Sequence, residues 1–110
     1  MIRISLLCSS ERIFRSCEAV GHAGYAETGR DIVCAGVTSV LRTVLSLLDD
    51  NPLISLETDL PERGVLAFRV TGYDKTQEVL LIHCSDFLEK GLKLLSEEYP
   101  EYVSLRVQIE

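Results

Sequence analysis

Gly21-His22-Ala23-Gly24-Tyr25-Ala26-Glu27-Thr28-Gly29-Arg30-Asp31-Ile32-Val33-Cys34-Ala35-Gly36-Val37 opens the stretch, residues 21–48, around which the chain is organised. Three glycines within nine residues, at 21, 24 and 29, do not suit a regular element, so residues 21–30 read as a mobile loop. Order resumes at Asp31. Val33, Val37, Val40, Leu41, Val44, Leu47 and Leu48 then fall at offsets of 4, 7, 8, 11, 14 and 15 from Val33, which is one face of an α-helix. Asp31 is its expected N-cap.

Capping at Asp31 puts Cys34 inside the first helical turn. Orphan N–H groups and the positive end of the helix dipole favour an anion there, and cysteines at such positions beside an imidazolium ionise below their usual range. His22 lies on the loop that leads into the helix. One reading is therefore a Cys34/His22 dyad: the imidazole takes the thiol proton, later protonates a leaving amine, and first-turn N–H groups stabilise an oxyanion. The other reading is that Cys34 is a small buried hydrophobe like most cysteines. Its place about 100° around the helix from Val33 puts it at the margin of the apolar stripe, facing the loop.

At these residues the sequence resembles the ribosomal-processing cysteine proteases, Prp. The resemblance rests on Gly21-His22-Ala23, Gly29 and Asp31-Ile32-Val33-Cys34-Ala35-Gly36-Val37, with histidine and cysteine twelve positions apart. It implies a cytoplasmic bacterial endopeptidase that removes a short N-terminal extension from a large-subunit ribosomal protein, with His22 and Cys34 as its dyad. It also implies a homodimer. Asp31 and Thr38 are the supporting residues, the Thr38 hydroxyl replacing a frequent serine one turn from Cys34. Gly21, Gly24, Tyr25 and Gly29 belong to the loop expected to contact substrate and gate the site, with Thr28 replacing a frequent aromatic there.

Composition bounds the alternatives. At 110 residues, 46% hydrophobic and 25% charged, the chain reads as one globular domain, 1–110, able to bury a core without metal or disulfide support. A net charge of −6 opposes direct nucleic-acid binding and favours a basic partner. No apolar run approaches the ~20 residues of a membrane span, and the N-terminus enters a strand pattern at once, so a cytoplasmic protein is expected. Cys8, Cys17, Cys34 and Cys84 contain no CxxC pair. A zinc site from Cys17, His22 and Cys34 lacks close ligand spacing, and neither metal nor cofactor is expected.

The remaining patterns give strands at 2–7, 13–20, 53–58, 65–71 and 102–109, with a turn over 59–64. Asp49 and Asp50 are expected to lie beyond the end of the first helix. A second helix starts at an Asp74/Gln77 capping box, runs to 97 or 98, and carries a stripe of Leu80, Cys84, Phe87, Leu88, Gly91 and Leu95, widened by Leu81, Leu92 and Leu94. The order ββαββαβ predicts a two-layer α+β fold, both helices on one face of a mainly antiparallel five-stranded sheet. Two non-protease readings use the same features: a ribosome-assembly interaction module with an inert Cys34, and a thiol switch.

Overall fold

A computed structural model describes residues 1–27, 29–59 and 64–110. Thr28 and most of the turn read over 59–64 lie outside them. The elements are β1 (Ile2–Cys8), β2 (Phe14–Val20), α1 (Ile32–Asp49), β3 (Ile54–Asp59), β4 (Val65–Tyr73), a single 3₁₀ turn (Lys75–Gln77), α2 (Glu78–Glu98) and β5 (Val103–Ile109). This is the ββαββαβ order, and the five strands form one sheet in the order β3-β4-β2-β1-β5.

Alternation along each strand divides the sheet into two unlike faces. Ile4 pairs with Ala19, Leu6 with Cys17, and Cys17 with Phe68; all five are buried in the core that both helices cover. The opposite face exposes Arg3, Ser5, Glu18, Arg69 and Arg106, with Val20 exposed among them. Three of the four strand pairs are antiparallel. β5, however, runs parallel to β1, from Ile2 beside Val103 to Cys8 beside Ile109, so the sheet is mixed. The α2 crossover carries the chain back over the sheet before β5, which permits a parallel pair.

α1 buries Val33, Val37, Leu41, Val44 and Leu48. Leu47, read as part of the same stripe, is 49% exposed. The 18-residue helix is long and apolar enough by length and composition to cross a membrane, which corrects the expectation that no such run exists; here its apolar stripe packs into the core. It ends at Asp49, one residue later than read, because the Asp50 N–H donates to the Ser46 carbonyl and closes a last turn.

In α2 the buried stripe is Leu81, Cys84, Ser85, Leu88 and Leu92. Four of these five, Leu81, Cys84, Leu88 and Leu92, belong to the stripe as read, and Leu80 and Leu95 pack against its edge; Ser85 is the buried residue the reading left out, while Phe87 and Leu94, read as part of it, are half exposed. The capping box is also corrected. Asp74 caps the 3₁₀ turn through the Thr76 N–H, while Gln77 Oε1 accepts from Asn51 Nδ2 at 2.9 Å and so ties the end of α1 to the start of α2. The helices are antiparallel, with Gly36 beside Leu95 and Gly91 beside Val40.

Candidate active site

Asp31 builds the start of α1. Its backbone is extended (φ −84°, ψ 103°), and its Oδ1 accepts from the N–H groups of Val33 and Cys34, both at 3.0 Å. Oδ2 turns the other way and accepts from Tyr25 at 3.0 Å and Ala26 at 3.4 Å. One carboxylate therefore caps the helix and clamps the loop. Burial opposes its charge, but the N–H groups of Cys34, Ala26, Tyr25 and Val33 outweigh that and hold it below the usual aspartate value.

Those bonds narrow one expectation from the sequence, that first-turn N–H groups stabilise an oxyanion. The first-turn N–H groups of Val33 and Cys34 are engaged by Asp31 Oδ1, and that of Ala35 by the Asp31 carbonyl at 3.0 Å, so they do not form an open oxyanion site. The donor that reaches Cys34 comes instead from the loop: the Ala23 N–H donates to Cys34 Sγ at 3.3 Å.

Two glycines position His22. Gly21 (φ +102°) donates to the Gly64 carbonyl at 2.8 Å, and a Cβ on it would stand 2.5 Å from the Met1 carbonyl oxygen. Gly64 (φ +86°) lies against the imidazole, where a Cβ would be 2.6 Å from His22 Nε2. Only glycine leaves room there, and only glycine adopts that backbone freely. Sequence reading treated Gly64 as the end of a turn; nothing local indicates that it faces a histidine 42 residues earlier.

A cavity of about 1090 Å³ opens over these residues. His22, Cys34, Asp31, Thr38, Gly21, Gly24 and Gly29 all line it, so the fold brings seven of the eight expected site residues to one place. Tyr25 is the exception. Its ring turns to the α2–β5 corner and packs edge-on against Tyr99 (centroids 5.7 Å apart, 77°) and Tyr102 (5.3 Å, 81°). Among the described residues no hydrogen bond joins His22 to Cys34 or Thr38 to either. Arg42, two turns along α1 from Cys34, also lines the cavity, as do Leu41 and Leu66.

The other cysteines stand apart. Cys8, Cys17 and Cys84 are buried while Cys34 is half-buried, and burial pushes the thiol of Cys17 up to about 12 and that of Cys84 up to about 11. Cys17 is thus a core residue and does not join His22 in a metal site. Among the described residues no group of three or more His, Cys, Asp or Glu is placed to hold a metal ion.

The fold is shared with solved proteins. A crystal structure of the ribosomal processing protease Prp from S. aureus, in complex with a covalently linked product peptide, superposes with a TM-score of 0.83 over 98% of this chain and 100% of that one, at 23% identity. The SMU.848 protein of Streptococcus mutans superposes with a TM-score of 0.76 over 100% of this chain and 96% of that one, at 26% identity. In sequence, the ribosomal processing cysteine protease Prp of Bacillus subtilis (strain 168) is 38% identical over 63 residues, 54% of this chain. That match spans 56% of the relative's length. The profile described as Cysteine protease Prp matches residues 1–104, through every element from β1 into the start of β5, and on that match the chain belongs to the Prp family of cysteine proteases.

Proposed function

We propose that this protein is a cysteine endopeptidase that removes a short N-terminal extension from a large-subunit ribosomal protein, with His22 and Cys34 as its dyad. The observation that carries the reading is that Cys34, at the capped start of α1, and His22, seated on Gly64, line one cavity large enough for several peptide residues. A peptide substrate is further supported by two structures of the S. aureus protein, one with a covalently linked product peptide and one with a substrate peptide.

Chemistry at the pair runs in two halves. Cys34 gives its proton to His22 and attacks the scissile carbonyl carbon, so an S–C bond forms as the carbonyl π pair moves to oxygen. Collapse of this adduct breaks the C–N bond, and the amine leaves with the proton that His22 held. Water, losing a proton to His22, then cleaves the thioester to a carboxylic acid, and the proton returns to sulfur. The acidic surface, net −6, favours encounter with a basic ribosomal protein.

A cytoplasmic location belongs to the same proposal, supported by four unpaired cysteines, which suit a reducing compartment. So does a homodimer, supported by Val79, Phe87 and Leu94, left about half exposed or more on α2. Sedimentation equilibrium reads the dimer, and a monomer at micromolar concentration counts against it. The function is tested by incubating the protein with the N-terminally extended ribosomal protein and weighing the products. Loss of the extension with the natural chain and none with Cys34→Ala is expected; an intact substrate in both sets the reading aside.

A further inference from the structure

Resting on the protease reading, the geometry points to the backbone N–H of Ala23 as the donor that stabilises the oxyanion formed when Cys34 attacks. A helix start normally offers its free N–H groups to such a charge, but here two of them are engaged: Val33 and Cys34 both donate to Asp31 Oδ1, each at 3.0 Å. Neither is left open to the charge that develops beside Cys34.

Ala23 supplies a donor from the loop. Its N–H points at Cys34 Sγ at 3.3 Å, and the residue is 3% exposed, so water competes little for the donor. The backbone on either side is held: the Gly21 N–H donates to the Gly64 carbonyl at 2.8 Å, and the Tyr25 N–H to Asp31 Oδ2 at 3.0 Å. Such a donor is oriented before substrate arrives, which is what makes oxyanion stabilisation effective. On attack the sulfur lone pair becomes the S–C bond, and the negative charge moves to an oxygen two bonds from sulfur. The N–H that solvates sulfur in the free protein transfers to that oxygen. Asp31 thus has a role one step removed from the chemistry: it engages the Val33 and Cys34 donors and fixes the loop that carries the working one.

The test replaces the Ala23 amide by an ester, which deletes this N–H and leaves every side chain in place. The chain divides for ligation at Cys17 and Cys34, with lactic acid built into the middle segment, and a natural-sequence chain made the same way is the reference. Cleavage is followed on a peptide spanning the junction between extension and mature ribosomal protein. The ester chain should lose roughly 100- to 1000-fold in kcat with KM little changed, and the loss should persist at pH values where the thiol is fully ionised. A loss that disappears at high pH would mean that the N–H serves only the thiolate, and an unchanged kcat would mean that it serves neither; either result overturns the proposal while leaving the protease intact. A natural ligated chain that leaves the peptide whole removes the protease reading and the proposal with it.

A second measurement needs no altered backbone. A peptide aldehyde adds to Cys34 as a hemithioacetal whose oxygen sits where the oxyanion forms. The Ala23 amide proton should move downfield and become protected from exchange, with the Val33 and Cys34 amides little changed. Movement of Cys34 in place of Ala23 overturns the assignment.

Discussion

Asp31 and Asp74 occupy equivalent places, each just before a helical segment, yet they do different work. Asp74 is exposed and uses Oδ1 alone, accepting from the Thr76 N–H at 3.0 Å and the Thr76 hydroxyl at 2.6 Å. Both side-chain contacts are to a single residue two positions on. Asp31 is 9% exposed and uses both oxygens, one on its helix and one on a loop that arrives from β2. A cap becomes a clamp when a second segment is brought back to it, and in this chain the returning segment carries His22 and the Ala23 N–H. The same local device thus ends as a turn at one helix and as a candidate catalytic centre at the other.

The largest expected effect that separates the two helix starts is Cys34→Ala, which should abolish cleavage while leaving the thermal midpoint within a few degrees, since alanine suits a helix and Cys34 is only half-buried. Cys84→Ala, in α2, should behave oppositely, losing about 1 kcal/mol of stability with turnover retained. A Cys34→Ala protein that still processes substrate would erase the distinction altogether.

Next in size are the Asp31 variants. Asp31→Ala removes cap and clamp, and should cost roughly 0.5 to 2 kcal/mol and about 100-fold in kcat, because small displacements of reacting groups are that expensive. Asp31→Asn separates the two functions. Its amide oxygen can still cap Val33 and Cys34, whereas its NH₂ cannot accept from Tyr25 and Ala26, so most stability should remain while kcat falls about tenfold. Asp74→Ala should lower stability a little and leave kcat alone. Equal activity losses at Asp31 and Asp74, measured by steady-state kinetics on purified variants, would show that the clamp contributes nothing specific.

Gly64→Ala probes the far wall of the same site. The added Cβ meets His22 Nε2 at 2.6 Å on a backbone at φ +86°, so both strain and displacement of the imidazole are expected. A kcat loss of roughly tenfold to 100-fold should accompany a stability loss of about 1 kcal/mol. In a His22→Ala background the stability loss should shrink, because only the backbone strain remains. An undiminished loss would show that Gly64 does not seat the histidine.

How far the sequence alone leads follows the range of each interaction. The α1 stripe and the Asp31 cap were legible because they depend on residues within a few positions of one another, and Cys34 at the stripe's margin followed from the same periodicity. Periodicity identified α2 and most of its buried stripe but drew it too wide, taking in the exposed Phe87 and Leu94 and missing Ser85, since nearly continuous apolar positions, Leu80 with Leu81 and Leu94 with Leu95, blur its edges. The Asp74/Gln77 pair has the form of a capping box, but a partner 26 residues away, Asn51, takes the glutamine. Strand order and the parallel β1–β5 pair were out of reach for the same reason. At the site, seven residues that line the cavity could be named from the sequence. Their supports could not, because Gly64 beneath His22, Oδ2 on Tyr25 and Ala26, and Ala23 on Cys34 Sγ are contacts that only the closed fold creates.

The smallest expected effect is in acid. Asp31 and Asp74 are both held below the free aspartate value of 3.8: for Asp31 burial works against this and four N–H bonds prevail, while for Asp74 the Thr76 side chain and N–H are responsible. A depressed carboxylate contributes stability that is present above its unfolded value and lost as pH falls through the folded one, so both contributions fade below about pH 4. The consequences differ in reach. Protonating Asp74 should disturb the Thr76 amide alone. Protonating Asp31 should disturb four amides together, Val33 and Cys34 on the helix and Tyr25 and Ala26 on the loop, because all four share one carboxylate. Amide resonances followed by NMR from pH 6 to 2 read this directly: the four should shift with a single midpoint, distinct from that of Thr76. Separate midpoints for the helix pair and the loop pair would mean that loop and helix are held independently, and the clamp would then reduce to the same simple cap that Asp74 provides.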